Sequence, residues 1–212
     1  MEKTQATRFR LIKLFRSLCI LSIFTIIFAC SAVVSIQAQT FEDLKTSPVD
    51  YSKADISPAK SCETMGSFKA DDIIQLGAKK IPAEGNEPGF CKVRGILDPE
   101  IAFEVNLPEK WNGRFYMIGN GGHAGQSLDD PMQVSQVKGA LSRGFAVALT
   151  NTGHDARKEP GASFVMSNPQ KAIDYAYRAV HLTAVTAKAI TADYYQKPLK
   201  YSYWNSCSNG GR

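Results

Sequence analysis

Ser208 stands in Ser206-Cys207-Ser208-Asn209-Gly210-Gly211, directly after the aromatic stretch Leu199-Lys200-Tyr201-Ser202-Tyr203-Trp204-Asn205. A serine hydroxyl becomes a useful nucleophile when the backbone presents it on a sharp strand-to-helix turn. Such a turn needs small residues two before and two after the serine. Ser206 and Gly210 hold those places. The first position is more often a glycine, so the serine predicts a more strained turn. A second feature, Gly119-Asn120-Gly121-Gly122-His123-Ala124-Gly125, follows the apolar run Phe115-Tyr116-Met117-Ile118. A glycine-rich loop at the end of a buried strand can aim backbone N–H groups at a developing oxyanion. Each feature alone also reads as an ordinary turn; together they point to acyl transfer on a serine. A dinucleotide reading is weak, because no Gly-x-Gly-x-x-Gly occurs and no acid stands about 20 residues on at a strand end.

The other chemistry-bearing residues read more plainly. The chain has three histidines. His181 lies within a helical pattern and reads as a structural hydrogen-bonding residue. His154, after Thr152-Gly153 at a strand end, reads as a loop-ordering residue that could line a site. His123 beside the glycine loop could touch a substrate. No two His, Cys or Asp residues share an element at ligand spacing, so no metal motif is present. Tyr201, Tyr203 and Trp204 read as strand packing rather than as a platform for a ring.

Alternating strands and helices must position these residues. Ile101-Ala102-Phe103-Glu104-Val105-Asn106-Leu107 alternates apolar and polar residues and stops at Pro108, which predicts a half-buried antiparallel strand. Phe115–Ile118 and Phe145-Ala146-Val147-Ala148-Leu149-Thr150 are continuous apolar runs, as strands buried on both faces show. Residues 133–142 between them are helix-compatible. Asn168-Pro169 is an N-cap followed by proline at the first helical position. Ile173, Tyr177, Val180, Ala184, Ala187, Ile190 and Tyr194 then form one stripe at intervals of three or four, up to a limit at Pro198. The order implies an α/β architecture.

Composition narrows the class. The 212 residues are 44% hydrophobic and 21% charged, which suits one globular domain and excludes a disordered or collagen-like chain. The net charge of +5 sits mostly at the start: residues 1–38 carry Lys3, Arg8, Arg10, Lys13 and Arg16 against Glu2. The remainder is close to neutral, so no nucleic-acid partner is indicated. The basic start, the uncharged run from Ser17 to Ile36 and the small residues near Ala38 predict a signal peptide over 1–38. The same segment could serve as an uncleaved anchor. Ile27-Phe28-Ala29-Cys30 could also be a lipoprotein box that places a lipid on Cys30. Every one of these readings exports the body and involves the membrane only through the leader. Residues 39–60 read as a mobile lead-in segment, and 61–212 as the catalytic body.

Export changes how cysteines are read. Of five, Cys19 and Cys30 fall in the leader, leaving Cys62, Cys91 and Cys207. Cys62 and Cys91 are predicted to form a disulfide, and Cys207 is left without a partner.

Several segments together resemble the tannase and feruloyl esterase family. They are Tyr201–Arg212 with its Cys-Ser-x-Gly-Gly-Arg, the helix Asp174–Thr183, the loop Thr152-Gly153-His154-Asp155, the stretch Trp111–Gly125, and Cys91 leading into Gly95-Ile96-Leu97-Asp98-Pro99. The likeness spans roughly residues 60–212. It implies an α/β-hydrolase fold and hydrolysis of esters of aromatic acids, a small-molecule substrate. Ser208 would be the nucleophile, with the oxyanion held by the N–H of Asn209 and by that of Gly121 or Gly122. The family places the Asp and then the His after the serine, and it pairs the cysteine before the serine with one beside that histidine. The resemblance therefore implies that the chain is the N-terminal part of an esterase, inactive alone, with the partner of Cys207 further on. It implies no cofactor in this segment, and calcium only in a later lid domain. The rival reading is an exported ligand-binding module on the same fold, without catalysis.

Overall fold

A computed structural model describes residues 54–211. Six strands form one sheet: β1 (Ile73–Ile81), β2 (Phe90–Leu97), β3 (Ile101–Pro108), β4 (Arg114–Ile118), β5 (Ala146–Thr150) and β6 (Tyr201–Asn205). Their order across the sheet is β1-β2-β3-β5-β4-β6. Strands β1, β2, β3 and β5 are antiparallel neighbours, whereas β5, β4 and β6 run parallel. Parallel neighbours require crossovers. Helix α1 (Pro131–Leu141) carries the chain from β4 to β5. A helical rod carries it from β5 to β6: α2 (Phe164–Ser167), α3 (Pro169–Ile173), a π-helical turn (Asp174–Arg178) and α4 (Ala179–Tyr195).

The period of two along β5 sorts the core. Ala146 and Ala148 face the same side as Ala187, Ile190, Tyr194 and Tyr195 of α4. Val147 and Leu149 face Val137, Ala140 and Leu141 of α1. Helices on both faces explain the continuous apolar runs Phe115–Ile118 in β4 and Ala146–Leu149 in β5. Helix α1 starts where Asp130 Oδ1 accepts from the Met132 and Gln133 N–H groups, with Pro131 at the first position. Asn168 caps α3 in the same way, as its sequence indicates. On the other flank Trp111 stacks on Tyr195 at 4.4 Å, and the Tyr195 hydroxyl donates to the Pro108 carbonyl.

Three expectations change. First, β3 is not half-buried: its polar residues Glu104 and Asn106 are buried as deeply as its apolar ones. Arg94, itself tied to Asp129, covers Glu104 with an Nε to Oε2 bond of 2.8 Å, and Asn106 donates to Glu104. Second, the stripe predicted from Ile173 to Tyr194 is broken at its start. The π turn inserts a residue, which rotates what precedes it by about 100° relative to α4. Ile173 and Tyr177 therefore point outward, and Asp174, at 0% exposure, takes the inward place. Third, the body begins before residue 61. Ile56 exchanges two hydrogen bonds with Trp111, and the Ala59 and Lys60 N–H groups donate to Tyr194, so 54–60 is tied down by main-chain pairing. The leader over 1–38, Cys30, and most of the lead-in segment lie outside the described residues.

The disulfide between Cys62 and Cys91 is present, with a Cα–Cα distance of 5.4 Å, and both residues are buried. It ties the turn before β1 to the start of β2.

Candidate active site

Strands β4 and β6 run side by side in register, Arg114 opposite Tyr201 and Ile118 opposite Asn205. Their C-terminal ends are therefore level, and the Gly119 N–H donates to the Asn205 carbonyl just past them. In open α/β sheets this edge is where ligands bind. Both strands leave it through glycine-bearing turns, 119–125 and 206–211.

Ser208 has φ of 54°, the left-handed region, which an L-residue other than Gly occupies at a cost of about 1–2 kcal/mol. It opens a 3₁₀ turn, Ser208–Gly211, closed behind Cys207 by the Gly210 N–H. The indole N–H of Trp204 donates to the Gly210 carbonyl at 2.8 Å and fastens the turn to the strand. Ser208 is exposed. The serine at 206 is accommodated by its neighbours: a Cβ on Gly119 would come within 2.5 Å of the Ser206 side chain, and one on Gly210 would collide with its hydroxyl. Glycines at 119 and 210 leave the room that a glycine at 206 would otherwise provide.

The loop 119–125 follows β4. Gly122, Ala124 and Gly125 all have positive φ, at 57°, 60° and 74°. The Gly121 carbonyl accepts from the Ala124 N–H at 3.0 Å and from Gln126 Nε2 at 3.1 Å. Gln126 Oε1 in turn accepts from Asn120 Nδ2 at 2.8 Å. A cavity of about 380 Å³ brings the two turns together, lined by Asn120 and Ala124 from one, by Asn209 and Gly210 from the other, and by Tyr175 and His181 of the helical rod.

His154 is 2% exposed, with its ring 3.8 Å from that of Phe164 and nearly parallel to it. Burial pulls its pKa down, against the opposing pull of the Thr152 carbonyl. A Cβ on Gly125 would lie 2.6 Å from its Nε2, so the glycine loop rests on this ring. That is a loop-ordering position, as its sequence context indicates. His123 is exposed. His181 departs from expectation: it is exposed on the first turn of α4 and lines the cavity.

Several residues of the site lie in segments that carry the family resemblance but have no role assigned by it. Asp174 Oδ1 accepts from Arg178 and Gln170, both at 2.9 Å, and Arg178 also donates to the Asp98 carbonyl. A Cβ on Gly153 would come within 2.9 Å of the Asp174 Cβ, so the loop after β5 sits directly on the π turn. The Tyr175 hydroxyl reaches toward the Gly122 carbonyl at 3.5 Å. Beyond the resemblance of Asp174–Thr183, the i, i+4 spacing of Asp174 and Arg178 is the signal for their pairing. A second cavity of about 440 Å³ lies behind the glycine loop, lined by Arg94, Gln126, His154 and Asp155 among others. Cys207 is a free, exposed thiol among the described residues. Among the described residues no group of three or more His, Cys, Asp or Glu side chains is gathered as a metal site would need. Nor is any described helix long and apolar enough to cross a membrane.

The chain is similar to several known proteins. The profile of the family described as tannase and feruloyl esterase matches residues 86–212. An uncharacterized esterase of Xanthomonas campestris is 38% identical over 152 residues, 69% of this chain and 24% of that protein. Feruloyl esterase B of Aspergillus niger is 38% identical over 109 residues, 51% of this chain and 19% of its own. The mono(2-hydroxyethyl) terephthalate hydrolase of Piscinibacter sakaiensis is 32% identical over 141 residues, 59% and 23% respectively. The crystal structure of feruloyl esterase B from Aspergillus oryzae superposes with a TM-score of 0.55 at 28% identity, covering 71% of this chain and 32% of that one. The chain thus spans about a quarter or less of the curated relatives it matches. Its fold is that of an α/β-hydrolase, with the serine turn after β6 and the glycine loop after β4. With the profile covering more than half its length, the chain belongs to the tannase and feruloyl esterase family.

Proposed function

We propose that this chain carries the nucleophile and oxyanion hole of an exported serine ester hydrolase that cleaves esters of aromatic acids. The observation that carries the reading is the placement of Ser208, at positive φ on the turn that leaves β6, level with the glycine loop that leaves β4. Ser208 Oγ attacks the ester carbonyl, and the N–H groups of Asn209 and of Gly121 or Gly122 receive the negative charge that forms on its oxygen. Collapse of the tetrahedral intermediate expels the alcohol and leaves the acyl group on Oγ. Water then adds to the acyl carbon, and the acid departs as the Ser208 hydroxyl is restored. The chain order of this fold assigns the aspartate and the histidine base to residues after the serine. The proposed partner of Cys207 is a cysteine beside that histidine, which would pin nucleophile and base together.

The aromatic acyl group is supported by relatives named for feruloyl and terephthalate esters. Export is supported by the buried disulfide, since such bonds persist in oxidising compartments. Kinetics of the full-length protein on methyl ferulate test the assignment. Ser208→Ala is expected to lower kcat by roughly 10⁴–10⁶ with the fold intact. Turnover retained in that variant would remove Ser208 as nucleophile. Binding of the ester without turnover in the wild type would favour the non-catalytic binding module.

A further inference from the structure

On the reading of Ser208 and the 119–125 loop given above, we propose that Gln126 is a positioning residue for catalysis. It sets the orientation of one peptide plane and thereby makes the Gly122 N–H, not that of Gly121, the oxyanion donor of the glycine loop. The loop needs such a brace. Cβ atoms built on Gly121 and Gly122 would meet nothing within 4 Å, and beyond Gln126 the side-chain tie to this pair is the Tyr175 hydroxyl reaching the Gly122 carbonyl at 3.5 Å. Glycines at both sides of a peptide leave it free to rotate as a unit between orientations.

Gln126 removes that freedom from two sides. Its Nε2 donates to the Gly121 carbonyl at 3.1 Å, and its Oε1 accepts from Asn120 Nδ2 at 2.8 Å. The Ala124 N–H gives the Gly121 carbonyl a second donor at 3.0 Å. In a planar trans peptide the C=O and N–H point in opposite directions. Fixing the Gly121 oxygen on the Gln126 side therefore fixes the Gly122 N–H on the other side. The same geometry disposes of the alternative donor. The Asn120 carbonyl oxygen is turned toward the serine turn, 2.5 Å from where a Cβ on Gly210 would stand. The Gly121 N–H shares that peptide plane and so faces away from Gly210. Neither the Gly121 nor the Gly122 N–H donates to a backbone carbonyl among the described residues.

The test uses Gln126→Ala and Gln126→Glu in the full-length protein, with an aryl trifluoromethyl ketone that forms a tetrahedral oxyanion on the serine. Removing an oxyanion donor outright costs about 10²–10³ in kcat, so loss of its brace is expected to cost Gln126→Ala about 10–100-fold. KM should change less than twofold, the inhibition constant of the ketone should rise in parallel with the loss in kcat, and the thermal midpoint should stay near that of the wild type. Gln126→Glu supplies a readout that a merely structural role would not move. Its carboxylate cannot donate to the Gly121 carbonyl, but the protonated acid can. The ratio of variant to wild-type kcat/KM should therefore climb as pH falls toward about 4–5. Wild-type kcat and ketone affinity in Gln126→Ala would overturn the proposal, as would a pH-independent ratio or a loss that only tracks unfolding. Turnover surviving Ser208→Ala would instead refute the underlying site.

Discussion

Ser206, Gly119 and Gly210 form one steric unit beneath the proposed nucleophile, and their mutual dependence is measurable. A methyl group at 210 would meet both the Ser206 hydroxyl and the Asn120 carbonyl. Gly210→Ala is therefore expected to destabilise the protein by about 1–3 kcal/mol, the usual range for overpacking. In a Ser206→Gly background one of the two obstacles is gone, so the cost should shrink by a measurable coupling energy. Chemical denaturation of the four proteins of this cycle decides it; strict additivity would mean the two side chains do not share the space.

His154 makes a second residue-scale prediction. Its folded pKa lies below its ordinary 6.5 because burial disfavours the imidazolium. The unfolded state then binds more protons as the pH drops, so the contribution of His154 is complete above about pH 6.5 and declines as the pH falls through and below it. Urea titrations at pH 8 and pH 5 should show a smaller stability loss on acidification in His154→Phe than in the wild type. Equal slopes in the two proteins would contradict the assignment.

At the level of elements, the π turn Asp174–Arg178 determines which face the helical rod shows to the cavity. Asp174 is fully buried and held by Arg178 and Gln170. Asp174→Ala removes the buried acceptor of Arg178 and Gln170, while Arg178 keeps the Asp98 carbonyl and Asp72, so the expected cost is about 1–3 kcal/mol. Equilibrium unfolding measures it; a change below about 1 kcal/mol would show the pair to be dispensable. This turn also shows where the sequence stops being informative. Strands β4 and β5 were legible because burial on both faces requires continuous apolar runs, and the helix start was legible because Asn168-Pro169 is a chemical signal. The extra residue of a π turn leaves no such mark, so a stripe drawn straight through it misplaces Ile173 and Tyr177. Strand β1 gave no pattern because it is an edge strand with mostly exposed side chains. In β3, alternation was misread as a solvent face because the cover of Glu104 comes from Arg94, ten residues away in sequence and on another strand. The serine turn and the glycine loop were legible as residue types at fixed spacing. Gln126 was not, because it acts through a backbone carbonyl and no residue spacing encodes that.

For the molecule as a whole, two long-range ties matter, one within the core and one at the candidate site. The Cys62–Cys91 disulfide closes a loop spanning 29 positions, which the chain-entropy model values at about 3–4 kcal/mol. Replacing both cysteines by alanine should lower the stability by that order, and non-reduced peptide mapping of exported protein should show the pair intact. The other tie is the register of β4 against β6, which sets the serine turn beside the glycine loop. The central claim is that this juxtaposition makes Ser208 an acyl acceptor. Rapid acid quench of the full-length protein during turnover of an activated aromatic ester, followed by peptide mass spectrometry, tests it most directly. The account predicts the acyl mass on the peptide containing Ser208, absent in Ser208→Ala. An acyl adduct on another residue, or steady turnover with no covalent adduct in a Ser208→Ala protein, would contradict it.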